Sequence, residues 1–223
     1  MNSEPEYIQR LRLRMVEQQI MRRGIDNQRV IEAMSRVPRH EFLPGEPVEN
    51  AYQDGAVVVG HGQTCSQPYV VAYMTSWCDP HPTDRALEIG TGSGYQAAVL
   101  AEICREVVTI ERIEPLAETA RRRLSSLGYQ NVRVECRDGY EGCPEGAPFD
   151  IIVITAAAAE VPPPLFQQLG DDGRLVVPLG RGPQRVTRFT RQFGTLYREN
   201  GLDVRFVPFV SEHQDTGHED HEW

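Results

Sequence analysis

Apolar residues recur at two different spacings along the chain, and the change of spacing separates an N-terminal part from a longer C-terminal part. Helical spacing runs from Pro5 to Met34, a second helix is predicted over Asn27 to Val37, and another over Tyr69 to Cys78. The segment Phe42 to Gln67 is rich in Gly, Pro, Asn and Asp around one apolar run, Ala56 to Val59. We expect this segment to be a long loop with one short strand, and its length indicates a functional role.

From residue 86 onward, short apolar runs alternate with helical patterns. Elements that alternate at this spacing form a doubly wound, mostly parallel α/β sheet, whose ligand lies at the carboxyl ends of the strands. No helix is predicted between the last two strands, which are therefore expected to form an antiparallel pair at one edge. The seven predicted strands are Ala86 to Ile89, Val107 to Ile110, Val132 to Cys136, Phe149 to Ile154, Arg174 to Leu179, Thr187 to Phe193 and Val204 to Val210. The predicted helices are Tyr95 to Ile103, Pro115 to Leu127 and Pro164 to Leu169.

The pattern predicts a single domain over residues 1–211. Residues 1–80 hold the N-terminal helices and the long loop, and residues 81–211 form the sheet core. Residues 212–223 form a tail with five acidic residues, three histidines and no arginine. We expect this tail to be disordered; a metal site formed by His213, His218 and His221 is the alternative, and no other metal site is predicted.

The composition excludes several kinds of chemistry. The chain has 23 basic residues, and every one of them is Arg. The absence of Lys excludes reactions that need a lysine amine, such as a Schiff base with pyridoxal phosphate or a Walker-type phosphate site. The net charge of -9 argues against a nucleic-acid-binding protein. Five cysteines without a CxxC pair indicate reduced thiols in a cytoplasmic protein, and no apolar run is long enough to cross a membrane.

A glycine-rich loop, Gly90-Thr91-Gly92-Ser93-Gly94, follows the first predicted strand of the sheet and precedes a helix. Glycine at these positions allows a positive φ and a close approach of the backbone to a ligand at the amino end of the helix. A tight turn that binds nothing is the alternative. The dinucleotide fingerprint requires glycine where this chain has Tyr95, so the loop favours a cofactor without a pyrophosphate.

Two acidic residues stand at the ends of the next two strands. Glu111 follows Gly90 by 21 positions, close to the spacing of about 20 for a carboxylate that binds ribose hydroxyls. Asp138 ends the third strand, where it is placed to accept a hydrogen bond from an adenine amine, and Gly139 leaves space beside it. Each acid alone is more typical of a helix cap or a surface charge. Together with the glycine loop, they indicate a nucleoside cofactor without phosphates, namely S-adenosylmethionine.

Longer motifs surround these residues. VPRHEF at Val37 to Phe42, AYQDG at Ala51 to Gly55 and GQTCSQPYVVA at Gly62 to Ala72 precede LEIGTGSGYQAAVLA at Leu87 to Ala101. With these motifs the chain resembles the protein-L-isoaspartate O-methyltransferases, a family of class I S-adenosylmethionine-dependent methyltransferases with a Rossmann-like fold. The resemblance runs from about Met15 to Phe209. Many methyltransferases share the glycine loop, whereas GQTCSQP after AYQDG is specific to this family.

The resemblance implies a repair enzyme that works as a monomer. Members of the family transfer the methyl group of S-adenosylmethionine to the α-carboxylate of L-isoaspartyl residues in damaged proteins and peptides, and the ester returns through a succinimide to aspartyl linkage. The implied cofactor contacts are Thr64, Cys65, Gly90, Thr91, Gly92, Gly94, Glu111, Arg112, Asp138 and Gly139. The implied substrate contacts are Asp54, Ser66, Val207, Pro208 and Phe209, with Ser66 as the active-site serine.

Methyl transfer to a carboxylate requires few catalytic groups from the protein. The carboxylate is ionised at pH 7, so no strong base is required, and the main tasks are alignment and the exclusion of water. Ser66 is therefore expected to position a carboxylate oxygen rather than to act as a nucleophile. Cys65 stands where the family usually has Ile. Two alternatives stay open: a methyltransferase of the same fold with another carboxylate or peptide acceptor, and a non-catalytic relative that binds S-adenosylmethionine.

Overall fold

The computed structural model describes residues 4–213, and helices make up most of the chain before residue 78. The first helix, α1 (Glu6–Met15), continues into a π-helical turn at Val16–Ile20 and a 3-10 turn at Met21–Arg23. Gly24 ends this run with a φ of 89°, a conformation that favours glycine. The other helices are α2 (Gln28–Arg36), α3 (Val48–Ala51), α4 (Pro68–Trp77), α5 (Tyr95–Ala101), α6 (Glu114–Ser126) and α7 (Pro163–Gln168). Further 3-10 turns lie at Arg39–Phe42 and Pro144–Gly146.

Local sequence signals explain where α2 begins and ends. The side-chain oxygen of Asn27 accepts a hydrogen bond from the Val30 N–H at 3.3 Å, which caps the first turn. Pro38 stands just beyond the end of the helix, and the residue before a proline avoids the helical conformation. The helix predicted over Asn27 to Val37 is therefore confirmed to within one residue at each end. Among residues 4–213, no helix is both long and apolar enough to cross a membrane.

Seven strands form one sheet, as the sequence pattern predicts. They are β3 (Arg85–Ile89), β4 (Glu106–Glu111), β5 (Val132–Cys136), β6 (Phe149–Ile154), β7 (Leu169–Leu179), β8 (Gln184–Gln192) and β9 (Thr195–Val204). Their order across the sheet is β5-β4-β3-β6-β7-β8-β9. The strands from β5 to β7 are parallel, and β8 and β9 pair antiparallel. A separate antiparallel hairpin, β1 (Val57–Gly60) and β2 (Gln63–Cys65), lies in the segment predicted to be mostly loop.

The prediction for the last strand is wrong. The pattern assigns it to Val204 to Val210, but the seventh strand is β9, which pairs with β8. The side chains of β9 are exposed along most of its length, so its residues do not alternate between apolar and polar types. Only Val204 of this range belongs to β9, and residues 205–210 instead cross the carboxyl edge of the sheet. There Ala157 N donates to Val207 O at 2.8 Å, and Phe209 N donates to Ala157 O at 2.7 Å. An antiparallel pair at one edge is confirmed, with β8 and β9 as its members.

Two hydrophobic cores lie on opposite faces of the sheet. Successive side chains of a strand point to opposite faces, so Ala86 belongs to one core and Leu87 to the other. The core around Ala86 also contains buried residues of α1, α2, α4 and α5, and it joins the N-terminal helices to the sheet. Glu88 points to the same face as Ala86, which brings a carboxyl group to this side of the sheet.

Arg174 on β7 connects the end of α4 to the sheet by hydrogen bonds and a salt bridge. Its guanidinium donates to Cys78 O at 2.8 Å and to Asp79 O at 3.0 Å, and it forms a salt bridge with Asp84 at 2.7 Å. The side chains of Arg174 and Asp84 are only 18% and 10% exposed. Loss of the guanidinium would therefore leave the buried Cys78 carbonyl without this donor and the buried Asp84 carboxylate without its positively charged partner.

We expect Arg174→Met to lower the free energy of unfolding by about 3 kcal/mol, the size of effect seen when one partner of a buried pair is removed. Urea denaturation followed by circular dichroism measures the change. Arg185→Met is the matched control, because Arg185 also pairs with an aspartate, Asp203, but both side chains are more than half exposed. Its loss should cost less than about 1 kcal/mol. Equal losses in the two variants would contradict the prediction.

Candidate active site

The loop after β3 is held by both neighbouring strands. Gly90 N donates to Ile110 O on β4 at 2.8 Å, and Thr155 Oγ1, just after β6, donates to Gly90 O at 2.7 Å. Gly90 has a φ of +102°, and a Cβ built on it would lie 2.3 Å from Thr155 Oγ1. Both the backbone conformation and the close approach of Thr155 therefore require glycine at this position.

A crevice of about 640 Å³ opens at the carboxyl edge of the sheet beside this loop. Glu111 at the end of β4 is buried, and its carboxylate accepts hydrogen bonds from Gly92 N at 2.9 Å and Ile113 N at 3.0 Å. Of the predicted cofactor residues, those that line the crevice are Thr64, Gly90, Gly92, Glu111, Arg112 and Gly139.

Asp138 lies next to the crevice, and residues near the end of the described chain donate hydrogen bonds to its carboxylate. Oδ1 accepts a hydrogen bond from Tyr140 N at 2.9 Å, while Oδ2 accepts from Ser211 Oγ at 2.8 Å and Glu212 N at 3.0 Å. The His213 ring stacks on Tyr140 with a centroid distance of 5.0 Å. Burial alone would raise the pKa of Asp138, but these hydrogen bonds lower it below its ordinary value. A carboxylate has about four acceptor sites, so one remains for a ligand amine.

An inner cavity of about 330 Å³ adjoins the crevice on the side of the N-terminal helices. The two spaces share wall residues from the hairpin, the glycine loop and the end of β6. Three further predicted site residues, Cys65, Ser66 and Thr91, line the inner cavity. Glu88, for which no role is predicted, lines it as well. The inner cavity therefore connects the glycine loop with the segment that carries the predicted active-site serine.

Glu88 is an acidic residue with no exposure to solvent. Thr109 Oγ1 on β4 donates to Glu88 Oε2 at 2.6 Å, and the Thr91 hydroxyl lies 2.7 Å from Thr109 Oγ1. Oε1 of Glu88 has no hydrogen-bond partner among residues 4–213. Burial disfavours the charged carboxylate and raises the pKa of Glu88 to about 8, although the hydrogen bond from Thr109 opposes the shift. The free protein therefore holds a largely neutral carboxyl group in the cavity wall at pH 7.

Ser66 lies where the inner cavity meets a third space, a surface groove. Ser66 lines both spaces, and Asp54 and residues 202–206 line the groove. Asp54 accepts a hydrogen bond from Gln67 Nε2 at 2.7 Å and forms a salt bridge with Arg23 at 3.1 Å. The structure thus brings Ser66 and Asp54 to the same groove.

A fully buried arginine, Arg39, fixes the segment that carries Ser66. Its guanidinium donates to Ala51 O at 2.8 Å, to Ser66 O at 2.9 Å and to Cys65 Sγ at 3.2 Å. The guanidinium also lies over the Tyr95 ring, 4.7 Å from its centroid. Its hydrogen-bond partners are two main-chain oxygens and a thiol rather than a carboxylate. A positive charge that has no carboxylate partner among residues 4–213 is therefore placed directly behind the backbone of Ser66.

Some predicted site residues lie in a different part of the site from the one implied. Gly94, predicted to contact the cofactor, is the N-cap of α5 with a φ of +90°, and a Cβ there would lie 3.4 Å from Leu124 on α6. Val207 to Phe209, predicted to bind the substrate, line the crevice rather than the groove. Of the predicted tail, residues 214–223 lie outside the described part of the chain. Within residues 4–213, no three metal-ligating side chains come together.

Sequence reasoning missed three residues of this site: Glu88, Thr155 and Arg39. Glu88 is an acidic residue inside an otherwise apolar strand, which is a signal of function that the sequence contains. Thr155 follows β6, and polar residues at such strand ends reach the ligand crevice of a parallel sheet. Arg39 carries no comparable signal, because an arginine just after a helix is typical of the protein surface.

The donor and acceptor groups of the site fit S-adenosylmethionine. Glu111 and Asp138 offer acceptors to the hydroxyl and amine donors of a nucleoside. These two acids would repel the phosphate groups of a nucleotide. The unpartnered Oε1 of Glu88 adds an acceptor at the cavity end of the site, where a cofactor with a positively charged methionine moiety can use it.

Comparison with known proteins finds a matching family model and similar named enzymes. The family model described as Protein-L-isoaspartate(D-aspartate) O-methyltransferase (PCMT) matches residues 10–214. A protein-L-isoaspartate O-methyltransferase of Opitutus terrae is 50% identical over 202 residues, which cover 89% of this chain and 86% of the relative. An enzyme of the same name from Gloeobacter violaceus is 49% identical over 200 residues, which cover 89% of this chain and 98% of the relative.

Solved structures share the fold. One solved structure, which is named protein-L-isoaspartate O-methyltransferase, has a TM-score of 0.82 and 30% sequence identity to this chain. The match covers 92% of this chain and 66% of that protein. A Plasmodium falciparum protein assigned to the same kind of methyltransferase, solved in complex with S-adenosyl-L-homocysteine, has a TM-score of 0.78 and 25% identity. The match covers 89% of this chain and 98% of that protein. The predicted fold, a doubly wound and mostly parallel seven-stranded sheet, is therefore confirmed.

The burial of Glu88 should make the stability of the ligand-free protein depend on pH. Folding raises the pKa of Glu88 from 4.5 to about 8, so the folded state binds the proton more tightly and stability is lost as the pH rises through this window. Between about pH 6 and pH 8, the free energy of unfolding should fall by about 2 kcal/mol relative to Glu88→Gln, which cannot titrate. Urea denaturation at several pH values measures this difference. Glu118→Gln, on α6, should keep the wild-type dependence, and parallel profiles for wild type and Glu88→Gln would refute the prediction.

Proposed function

The chain belongs to the protein-L-isoaspartate(D-aspartate) O-methyltransferase family, and we propose that it repairs damaged proteins through the site described above. It transfers the methyl group of S-adenosylmethionine to the α-carboxylate of L-isoaspartyl residues in proteins and peptides, and the ester returns through a succinimide to aspartyl linkage. One observation carries the assignment of the site: Ser66 lies where the groove meets the inner cavity. A substrate carboxylate from the groove and a methyl donor in the cavity would meet at this residue.

We assign the nucleoside of the cofactor to the crevice. Glu111 would accept hydrogen bonds from the ribose hydroxyls, and Asp138 would accept one from the adenine amine at its remaining acceptor site. Gly139 lines the crevice, and a Cβ on it would lie 2.3 Å from Ile89 Cγ2. No side chain therefore fits at this position, and the main chain itself forms this part of the crevice wall. When bound, S-adenosylmethionine supplies a methyl group activated by a sulfonium sulfur. The complex of the Plasmodium falciparum relative with S-adenosyl-L-homocysteine supports this cofactor.

Ser66 would hold the substrate carboxylate by donating its hydroxyl hydrogen bond to one oxygen. The carboxylate is ionised at neutral pH, so the reaction requires no base. The bond of 2.9 Å from Arg39 to Ser66 O supports a fixed backbone from which the hydroxyl is presented. The buried charge of Arg39 would also attract the anion, since charges interact strongly in a poorly solvated site. Alignment and the exclusion of water then account for catalysis.

The groove would bind the peptide on both sides of the isoaspartyl residue. An isoaspartyl linkage lengthens the main chain by one methylene and presents the α-carboxylate as a branch, so the enzyme must test backbone geometry. Asp54, fixed by Gln67 and Arg23, forms one wall of the groove, and residues 202–206 form part of the other. An extended peptide would pair with exposed main chain along such a wall. Val207 to Phe209 continue directly from this wall, which supports their proposed contact with the substrate.

We also propose that residues 1–211 form one domain that acts as a monomer in the cytoplasm. A hydrophobic core shared by the N-terminal helices and the sheet supports a single domain. All five cysteines are unpaired, and four of them are buried, which supports a reducing compartment. Light scattering of the purified protein measures its molar mass and so tests whether it is a monomer, since a dimer would have twice the chain mass of 25.2 kDa.

Radiolabelled S-adenosylmethionine should label an isoaspartyl peptide and leave its aspartyl twin unlabelled. Ser66→Ala should lower kcat/KM for the isoaspartyl peptide by at least about tenfold, because it removes a hydrogen bond to a charged group. Ser125→Ala, on the exposed face of α6, should retain wild-type activity. Absence of transfer to the isoaspartyl peptide would overturn the function, and equal transfer to both peptides would overturn the specificity.

Asp54→Ala should weaken peptide binding more than turnover. The substitution releases Gln67 and Arg23 from one wall of the groove, so we expect KM for the peptide to rise about fivefold or more with a smaller change in kcat. Glu17→Ala is the control, because Glu17 also pairs with an arginine, at 2.7 Å, but does not line the groove. Wild-type kinetics for both Ser66→Ala and Asp54→Ala would show that the proposed site is wrong.

A further inference from the structure

One wall of the surface groove alternates between apolar and charged side chains. Leu202, Val204 and Phe206 on this wall are half-buried and pack against the core. Because side chains along an extended segment alternate between two sides, Asp203 and Arg205 are exposed instead, and both line the groove. The charges that a peptide meets on this wall are therefore those of Asp203 and Arg205.

Three of the four charged residues that line the groove already have a partner of opposite charge. Arg23 and Asp54 pair with each other at 3.1 Å. Asp203 pairs at 2.8 Å with Arg185 on β8, which does not line the groove. The fourth residue, Arg205, forms no salt bridge and no side-chain hydrogen bond among residues 4–213. The groove therefore offers one charge that is free to bind a ligand group, and this charge is positive.

The main chain on both sides of Arg205 is fixed by one residue of β8. Val204 is the strand partner of Gln184. The Gln184 side chain binds both main-chain groups of Phe206: Phe206 N donates to Gln184 Oε1 at 2.6 Å, and Gln184 Nε2 donates to Phe206 O at 3.3 Å. The backbone that carries Arg205 is thus ordered before a peptide arrives, which lowers the entropy cost of binding there.

We propose that Arg205 is a specificity residue, which pairs with an acidic side chain of the substrate within two residues of the isoaspartyl residue. The inference rests on the proposed function, to which it adds a preferred class of substrate. A guanidinium presents its N–H donors in a planar fork that matches the two oxygens of a carboxylate. An acidic neighbour supplies the partner that Arg205 lacks, whereas a lysine at the same place is repelled.

The carboxylate that accepts the methyl group has a separate place in the site. It is assigned to Ser66, which lines the inner cavity as well as the groove. Arg205 lines the groove and does not line the inner cavity. This position suits recognition of a residue that flanks the isoaspartyl residue, rather than of the reacting carboxylate itself.

A set of isoaspartyl peptides measures the preference. Each peptide carries Glu, Gln or Lys at one of the two positions before or the two positions after the isoaspartyl residue, and radiolabelled methyl transfer gives its kcat/KM. At one or more of these positions, the wild type should favour Glu over Gln by about threefold and Gln over Lys by about the same factor, the strength of a solvent-exposed ion pair. Because salt screens exposed charges, the preference should shrink towards one at about 1 M salt.

Two substitutions test whether Arg205 is the source of the preference. Arg205→Gln should bring the ratio of kcat/KM between the Glu and Gln peptides close to one, and Arg205→Glu should reverse the preference so that Lys is favoured. Arg122→Gln is the matched control, because Arg122 on α6 is also exposed and does not line the groove. It should keep the wild-type ratio. A ratio measured within each variant cancels any general effect of the substitution on folding or turnover.

Equal kcat/KM for the Glu and Gln peptides at all four positions in the wild type would overturn the inference. An unchanged ratio in Arg205→Gln would overturn it as well, even if this variant methylates every peptide more slowly. The Gln peptides test the proposed function separately. Transfer to them without any charge preference refutes the role of Arg205 alone, whereas absence of transfer to every isoaspartyl peptide refutes the function.

Discussion

The central position of β3 is the constraint on which the site depends. β3 lies between the parallel strands β4 and β6. After β3 the chain adds β4 and β5 on one side of it and then returns to add β6 and β7 on the other side. The loop after β3 therefore has a strand end on each side: Ile110 O holds Gly90 N, and Thr155 Oγ1 holds Gly90 O. At an edge of the sheet, the same loop would have one neighbour and no crevice. The crevice exists because the strand order reverses at this point.

Two ionisable side chains, Arg39 and Glu88, are buried near this loop, although burial of such groups opposes folding. Each is accommodated differently. Arg39 keeps its charge and is compensated by main-chain oxygens of Ala51 and Ser66, which also ties together segments that are distant in sequence. Glu88 gives up its charge in the free protein and keeps one oxygen without a partner. The first arrangement bonds the guanidinium to three partners, whereas the second leaves one oxygen of the carboxyl group without a partner among residues 4–213.

The parts of the fold that sequence predicts well are those that local pattern determines. Gly90 and Glu111 could be predicted because a strand-loop-helix unit has fixed spacing and its strand ends lead to one edge. β9 could not, because it is an exposed edge strand, and the apolar residues of 204–210 gave a stronger periodic signal while lining the crevice. Arg39 could not either, because its burial results from contacts 12 to 27 residues away, which local pattern does not contain.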